Sequence, residues 1–540
     1  MSIYGFFYSV SRDKPTCESP KIRWPPPSMG TLNSRGITSA LPTSWCFVTA
    51  SVATNIVGHG AVIGFSAVLI PQLRLPTSHI KVNASSESWI ASVIGFALIL
   101  GNFIITGMTT SWGRKNSHIA TTIPILVGWF MILFATDVAG LIAARFMQGI
   151  SMGMLGPLGS IIVGEMTDPK NRGAFLTSVS LSLTVGVLFT HSVGTVISWQ
   201  MTALLCSFVS YLSLLMILFT PESPCWLASV GRYEECREVF RYLRGSGEEQ
   251  ENELEKMISA QKLLRKSSVV GMELSFWTKT RRNFRYINCT IRKKEFYKPI
   301  IIMFHLYTMF QFAGINVISS YTMDIIEALV GNKDGAKFWM VVLDIQRLIL
   351  NVVAVFVMKT VNRRTILFST GGICVSSYLC KAGYVYAKSV NILPPFLDNQ
   401  IVPLILIFVY MFSLAVGIVS IPFAVSGEIF ALEYRGIGGG ISVLALSTNF
   451  FVAVKCFPVL RAAVGLPLTY CIYASVVSYC LLVLYLTLPE TKDKTLQEIE
   501  DEFRGIKYNA EHKRSSELLH QHADIQAYRE ARRCSTPLVS

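Results

Sequence analysis

Two amides and a glycine stand together near the end of one long apolar stretch, Pro299 to Tyr321. Gln311 and Asn316 can each donate and accept hydrogen bonds, but amides buried in hydrocarbon are costly unless they find partners. In a straight helix the two side chains would point about 140° apart. A shared site therefore requires a bend or an unwound turn, which Gly314 permits. The pattern indicates a cavity for a polar solute, with hydrogen bonding between neighbouring helices as the alternative.

Carboxylates and arginines recur at matching places in the two halves of the chain. Each half has an acid at the end of an apolar run and arginines in the short segments beside it. The residues are Arg114, Glu165 and Arg172 in the first half, and Arg363, Glu428 and Arg435 in the second. Such pairs could latch a helical bundle shut at one side of a membrane and break when a cavity opens there. Static anchoring of the helix ends is the alternative.

Four of the titratable residues inside apolar runs could have a functional role. Arg347 is a cation at membrane depth, where a lone charge is expensive, and Asp344 shares its helix face three residues earlier. The two could neutralise each other, Arg347 could attract an acidic or unusual solute, or both could lie at the outer interface. We interpret His59 and His191 as hydrogen-bonded packing residues rather than proton sites.

The composition of the chain indicates an integral membrane protein, whose helices would position these side chains. The chain has 540 residues, of which 51% are hydrophobic and 15% charged, against about 25% charged in soluble proteins. Runs of about 20 apolar residues are candidate membrane spans. Twelve such runs cover residues 46–70, 88–110, 117–136, 140–164, 175–197, 200–219, 299–322, 338–358, 365–387, 401–425, 437–459 and 467–488.

The arrangement of these runs predicts topology. Six runs precede a long charged insert and six follow it, which suggests two pseudo-equivalent halves. Basic residues such as Arg114, Lys170 and Arg363 concentrate in alternate short loops, so these loops and both termini are predicted to be cytoplasmic. This placement explains the net charge of +14 without invoking nucleic acid.

Other surface features fit the same topology. The sequence Asn83-Ala84-Ser85 is a glycosylation acceptor in the first predicted outer loop. The insert contains an amphipathic segment, Tyr233 to Leu243, predicted to form a short helix under the bundle. Basic residues between Lys279 and Lys298 could grip anionic lipid headgroups, or form a solvated flank.

The sequence contains none of the motifs by which we would recognise an enzyme. It has no nucleotide-binding loop, metal-ligand cluster or nucleophile motif, so we expect no catalytic activity, cofactor or metal. The 12 cysteines include no C-x-x-C pair and are interpreted as small buried hydrophobes.

From Cys46 to Phe503 the chain resembles sugar porters of the major facilitator superfamily, in particular insect facilitative trehalose or hexose transporters. The motifs that carry the resemblance are Arg145-x-x-x-Gly149-x-x-x-Gly153, Pro221-Glu222-Ser223-Pro224-Cys225-Trp226-Leu227, similar to PESPRWL, and Pro489-Glu490-Thr491-Lys492-Asp493-Lys494-Thr495-Leu496, similar to PETKGKTL. The resemblance implies an all-α membrane protein with twelve transmembrane helices in two six-helix bundles that rock around a central sugar site. The implied divisions are a disordered cytoplasmic tail over 1–45, bundles over 46–220 and 299–488, a cytoplasmic linker with amphipathic helices over 221–298, and a cytoplasmic tail over 489–540.

The resemblance also implies roles for individual residues. Gln311 and Asn316 would bond sugar hydroxyls, and Tyr321 would belong to an outer gate. Other candidate lining positions depart from the family, and the lining becomes more apolar, so the identity of the sugar stays open. The departing positions are Phe310, where the family has glutamine, Ser180, where it often has glutamine, and Phe423, where it usually has tryptophan. Asn449 is a further candidate substrate-binding residue.

The predicted function is transport of a trehalose- or hexose-class sugar across the plasma membrane by alternating access. Proton-coupled relatives carry an aspartate near Ser66, and no acid lies between Cys46 and Ile70, which favours facilitated diffusion. A transporter-like nutrient sensor and a porter for a non-sugar organic solute are the alternatives. Expected partners are the sugar and the bilayer.

Overall fold

The computed structural model describes residues 43–166, 172–270, 293–331, 333–430, 435–492, 494 and 496–504, and these form helices and connecting turns without a strand. The predicted N-terminal tail, most of the basic run of the insert and the distal C-terminal tail lie outside this part of the chain. The helices are α1 (Thr43–Leu73), α2 (Ala84–Ser111), α3 (Arg114–Leu133), α4 (Val138–Met166), α5 (Arg172–Gly194), α6 (Trp199–Leu218), α7 (Pro224–Val230), α8 (Tyr233–Arg244), α9 (Glu248–Val270), α10 (Lys294–Phe312), α11 (Ile315–Val330), α12 (Lys333–Thr360), α13 (Arg363–Ser389), α14 (Ile401–Ser413), α15 (Ser420–Glu428), α16 (Arg435–Thr487) and α17 (Leu496–Arg504).

The helices account for the twelve predicted spans. In the described ranges, nine helical segments are long and apolar enough to cross a membrane. One of them, α16, contains two predicted runs separated at Gly465, which has a φ of +79°. The segment Val179–Gly194 of α5 is a shorter apolar helix, and α13 is a 27-residue helix with a more polar composition. Together α10 and α11 form one span, as do α14, the π-helical turn Leu414–Ile418 and α15.

Close packing of α2 on α4 depends on small residues. A Cβ added to Gly153 would lie 2.9 Å from Leu98 Cα, and one added to Gly149 would lie 2.8 Å from Ile94 Cα. A larger residue would push the two helices apart, because such contacts are far inside van der Waals distance. The two glycines of the Arg145-x-x-x-Gly149-x-x-x-Gly153 motif therefore allow the close approach of α4 to α2.

Each half has its own internal packing. In the first half α1 packs on α5 and α6, and α4 on α2 and α3; in the second, α10 and α13 pack on α16, and α13 on α14. In the described part of the chain, the main contacts between the halves come from three helix pairs: α1 with α11, α2 with α16, and α5 with α12. Side chains on these six helices are therefore the ones that rearrange if the halves rock.

The insert forms helices α7 to α9. Ser223 caps α7 and Pro224 occupies its first turn, where a proline costs no hydrogen bond. The predicted amphipathic helix is confirmed as α8, which buries one apolar face and points its arginines at α9. The ion pairs are Arg237–Glu255, Arg241–Glu251 and Arg244–Glu253.

Candidate functional site

The glycine of the seventh span breaks the helix as predicted. Gly314 adopts a φ of +88°, a left-handed conformation that suits glycine, and it separates α10 from α11. The hydroxyls of Tyr378 and Tyr410 donate to the carbonyl of Ala313 at 2.8 and 2.6 Å. A Cβ at position 314 would lie 2.6 Å from the Tyr410 oxygen. The break is therefore held by side chains that satisfy the backbone it exposes.

The break brings the two amides together. Asn316 Nδ2 donates to Gln311 Oε1 at 2.8 Å. Gln311 is 1% exposed and Asn316 is 9% exposed. Each side chain keeps a second polar atom, Gln311 Nε2 and Asn316 Oδ1, that this bond does not use. The pair can therefore present one donor and one acceptor to a solute.

A buried lysine lies behind the break. The ammonium of Lys381, on α13, lies 3.4, 4.5 and 4.9 Å from the ring centres of Tyr410, Tyr378 and Tyr470. Cation–π attraction to these three rings stabilises the positive charge of the Lys381 ammonium group. A small cavity beside Gly314 is lined by Lys381 and these rings, and not by the two amides. Sequence reasoning missed this cluster, although a lysine inside the ninth apolar run was its signal.

The other predicted lining residues differ in their contacts and in their exposure. Phe310 packs edge-on against Phe423, with ring centres 5.7 Å apart, and Phe423 is half exposed. Ser180 is half-buried, and Asn449 donates to the carbonyl of Ala445 at 2.9 Å. Within the described ranges, no hydrogen bond joins Ser180 or Asn449 to the amides. The structure brings Phe310 and Phe423 into contact.

The end of the bundle opposite the insert carries an ionic contact between the halves and an aromatic contact within the second half. Tyr321, on α11, stacks on Phe457 with ring centres 5.6 Å apart. Arg74, just after α1, bonds Asp324 on α11 at 2.6 Å and Glu87 on α2 at 2.7 Å. The hydrogen bonds that Arg74 donates to these carboxylates, that to Glu87 first, raise the pKa of Arg74 despite partial burial. Sequence reasoning missed this network, whose signal was Asp324, an acid just beyond the end of the seventh apolar run.

The insert side carries the predicted carboxylate–arginine pairs. Arg114 bonds both oxygens of Glu165 at 2.7 and 2.9 Å, and Arg363 bonds Glu428 at 3.3 Å. Each pair stays within one half. The side chains of Arg172 and Arg435 lie outside the described part of the chain, so their contribution to these pairs stays a prediction.

The two proline-containing motifs attach to these pairs in the same way. Ser223 donates to Glu165 at 2.5 Å, and Thr491 donates to Glu428 at 2.6 Å. In each half, one of these motifs therefore bonds the carboxylate of the arginine–carboxylate pair to the segment that follows the bundle.

The adjacent acids of the motifs cap two helices. Glu222 accepts from the backbone N–H of Arg114 at 2.8 Å, and Glu490 accepts from that of Arg363 at 3.0 Å. Burial raises the pKa of Glu222. Burial alone would also raise the pKa of Glu490, but four backbone N–H donors outweigh it and lower that pKa. Both carboxylates sit at helix N-termini, where negative charge is stabilised.

Of the three alternatives for Asp344 and Arg347, a direct ion pair between them is not found in the described part of the chain. Asp344 bonds His191 of α5 at 2.5 Å, while Arg347 donates to Ser319 of α11 at 3.0 Å. Both α12 residues are buried, with 4% and 5% exposure. Their spacing puts them on one helix face, but α5 and α11 flank that face and supply closer partners.

Two buried groups of the first half fit the sequence interpretation. His59 contacts the carbonyl of Asn55 at 2.8 Å and Ser151 at 2.9 Å, as a packing histidine would. Arg145 donates to Ser66 at 2.7 Å, at the position where proton-coupled relatives carry an aspartate. The arginine is satisfied there by neutral acceptors.

Comparisons with known proteins agree with this architecture. The family model described as "Sugar (and other) transporter" matches residues 45–503. Facilitated trehalose transporter Tret1 of Apis mellifera ligustica is 24% identical over 455 residues, covering 84% of this chain and 87% of that protein. Tret1 of Drosophila yakuba is 24% identical over 466 residues, and the chain spans 52% of its length.

Solved structures show the same fold. The proton:xylose symporter XylE bound to 6-bromo-6-deoxy-D-glucose is 17% identical with a TM-score of 0.63, over 85% of this chain and 99% of that one. XylE from E. coli in an inward open conformation is 17% identical with a TM-score of 0.64, over 84% and 98%. The chain belongs to the sugar transporter family and has the fold of the major facilitator superfamily, so it is a membrane transporter and not an enzyme.

Proposed function

We propose that this transporter carries a sugar of the trehalose or hexose class across the plasma membrane by facilitated diffusion. The observation that carries the proposal is the Gln311–Asn316 pair at the Gly314 break. Sugar hydroxyls donate and accept, and the pair keeps one group of each kind. Relatives named as facilitated trehalose transporters support this substrate class.

Within this proposal, Gln311 and Asn316 bond the sugar, and Phe310, Phe423, Ser180 and Asn449 shape its surroundings. Tyr321 closes the outer side, where its ring already stacks on Phe457. The insert-side gate consists of Arg114, Glu165, Arg172, Arg363, Glu428 and Arg435. Facilitated diffusion is supported by Ser66, a neutral group where a coupling carboxylate would stand.

A porter for an acidic solute is the second candidate. It is favoured by Arg347, a buried cation whose described hydrogen bond is to a neutral hydroxyl, Ser319. A buried guanidinium that is hydrogen-bonded to a neutral hydroxyl attracts anions, and the nearby Asp344 offsets part of this attraction. The two candidates differ in which solutes compete for the site.

Transport by purified protein in liposomes separates the candidates. We expect trehalose or a hexose to equilibrate across the membrane, and a protonophore to leave the final level unchanged. Competition by trehalose, glucose, fructose and organic anions identifies the solute class. Competition by organic anions alone would support the second candidate, and binding without flux would indicate a nutrient sensor. Accumulation that a protonophore collapses would contradict facilitated diffusion.

We propose that both termini and the insert are cytoplasmic and that Asn83 faces outward. The basic loops support this orientation. Asn83 is exposed and its Oδ1 caps α2 by accepting from Ser86 N at 2.8 Å. Its Nδ2, the atom that carries a glycan, is not used by the cap.

Glycosylation and proteolysis test this orientation. In animal cells, Asn83→Gln should remove the glycosidase-sensitive shift in gel mobility, because Asn83 is the predicted outer acceptor. Asn288→Gln is the control, since Asn288-Cys289-Thr290 lies in the insert and should carry no glycan. Protease added to intact cells should leave the insert uncut. A shift abolished by Asn288→Gln, or cleavage without permeabilisation, would reverse the orientation.

A further inference from the structure

The break between α10 and α11 leaves the backbone carbonyl of Ala313 without a helical partner. In a continuous helix this carbonyl would accept a hydrogen bond from the backbone N–H of Val317. Here the backbone bonds of α11 begin one residue later, where the N–H of Ile318 donates to the carbonyl of Gly314 at 2.8 Å. Among the described residues, no backbone N–H donates to the Ala313 carbonyl. An unpaired carbonyl in a membrane span is costly, so the break needs donors from elsewhere.

Two tyrosine hydroxyls from other helices supply those donors. Tyr378 on α13 donates to the Ala313 carbonyl at 2.8 Å, and Tyr410 on α14 donates to it at 2.6 Å. A carbonyl oxygen has two lone pairs, so it can accept both bonds. Both hydroxyls also fill the space beside Gly314, where an added Cβ would meet the two oxygens, that of Tyr410 at 2.6 Å. The hydroxyls therefore stabilise the broken form of the seventh span over a straight helix.

The two tyrosine rings are themselves held by buried neighbours. Lys381 lies one turn after Tyr378 on α13, and its ammonium is 3.4 Å from the ring centre of Tyr410 and 4.5 Å from that of Tyr378. The two ring centres lie 5.1 Å apart, and Tyr470 and Tyr473 of α16 pack on the Tyr378 ring at 5.8 and 6.4 Å. All five side chains are buried. Close packing restricts movement of the rings, so their hydroxyls stay directed at the break.

We propose that Tyr378 and Tyr410 are positioning residues for the solute site, because the break that they stabilise brings Gln311 and Asn316 together. In a straight helix the two amides would point about 140° apart. Across the break, Asn316 Nδ2 lies 2.8 Å from Gln311 Oε1. The tyrosines thus act on the solute through the amides. This role depends on the proposed function, in which the amide pair binds the solute.

The concentration dependence of uptake into liposomes tests this role. The Tyr378→Phe/Tyr410→Phe double variant keeps both rings and leaves the Ala313 carbonyl without its donors. We expect the apparent affinity for labelled trehalose or hexose to fall about tenfold, as loss of one hydrogen bond to the solute would cause, while the maximal rate per transporter is largely kept. Unchanged affinity in the double variant, with affinity weakened in Asn316→Ala, would overturn the role of the tyrosines and leave the proposed function intact.

A third tyrosine of the same cluster provides the matched control. The Tyr473 hydroxyl donates to the carbonyl of Ala453 at 2.6 Å, a bond that joins the two spans of α16 and does not touch the break. Tyr473→Phe should lower the midpoint of thermal unfolding, as the double variant does, and leave the affinity unchanged. An equal loss of affinity in Tyr473→Phe would mean that any lost hydroxyl of this cluster has the same effect, which would overturn the positioning role.

A double-mutant cycle shows whether the tyrosines act through the amides. Asn316→Ala should weaken binding in wild type and should weaken it much less in the Tyr378→Phe/Tyr410→Phe background, where the pair is already misaligned. Additive losses would overturn the positioning role. Unchanged affinity in Asn316→Ala alone would overturn the proposed solute site and the positioning role with it. If neither trehalose nor a hexose is carried, the substrate class fails, and the same cycle is measured with the organic anion that competes instead.

Discussion

An Arg114→Glu protein is expected to reach the membrane in near-normal amounts and to transport at less than about a tenth of the wild-type rate. In wild type the Arg114 guanidinium bonds both oxygens of Glu165 and the carbonyl of Thr109. The substitution places a second carboxylate beside Glu165 and near Glu222. Breaking a buried pair costs about 3–5 kcal/mol, and screening reduces that figure here because both side chains are about one-fifth exposed.

Transport should suffer more than folding because of where the pair lies. Glu165 also accepts from Ser223, so the pair fastens the end of α4 to the start of α3 and to the insert. These three segments must move together if the first half rocks as a unit. Uptake and surface labelling, measured on the same cells, distinguish lost transport from lost expression.

Charge reversal at a second position provides the control. Combining Arg114→Glu with Glu165→Arg restores opposite charges and should recover part of the transport. Arg237→Glu disrupts an insert pair in which Glu255 is half exposed, and it should have little effect. Arg363→Glu should reproduce the Arg114→Glu defect in the second half. If transport is unchanged in both single variants, the pairs are static anchors.

The fold could be predicted because its signals are local. A run of about 20 apolar residues specifies a spanning helix whatever its neighbours are, and most helix ends lie within a few residues of the ends of the predicted runs. The least apolar span, α13, includes Lys381, whose charge is balanced by tyrosine rings rather than by removal from the membrane. Composition alone cannot reveal that compensation.

The contacts between the halves could not be predicted, because they join residues that are far apart in the sequence. Asp324 lies 250 residues from Arg74, and Asp344 lies 153 residues from His191. Each partner is chosen by how the two halves pack, which no short-range spacing encodes. The i, i+3 spacing of Asp344 and Arg347 suggested a local pair, and the tertiary packing overrode it. Charged groups inside apolar runs were nevertheless the correct places to look.

The amide site could be predicted only in part. Sequence predicted the break at Gly314, because a straight helix would separate Gln311 from Asn316. It did not predict that the two amides would bond each other, or that Tyr378 and Tyr410 would hold the Ala313 carbonyl. The break is local, whereas the residues that stabilise it come from α13 and α14.

Asn316→Ala is expected to weaken sugar binding about 5- to 150-fold. The free Oδ1 of Asn316 is the proposed acceptor for a sugar hydroxyl, and an unpaired hydroxyl in a desolvated site costs about 1–3 kcal/mol, with 1.4 kcal/mol per tenfold change in affinity. Concentration dependence of uptake, with surface expression measured in parallel, gives the change. Gln311→Ala should behave likewise.

The comparison that decides the role of Asn316 is with an amide that only joins helices. Asn102, on α2, donates to Ser447 on α16 at 3.2 Å and is outside the proposed site. Asn102→Ala should lower thermal stability and leave the apparent affinity unchanged. Asn316→Ala should also lose some stability, because it leaves Gln311 Oε1 without its donor, but affinity should change with it. If Asn316→Ala instead follows Asn102→Ala, with stability lost and affinity kept, the seventh-span amides bond helices to each other and the sugar binds elsewhere.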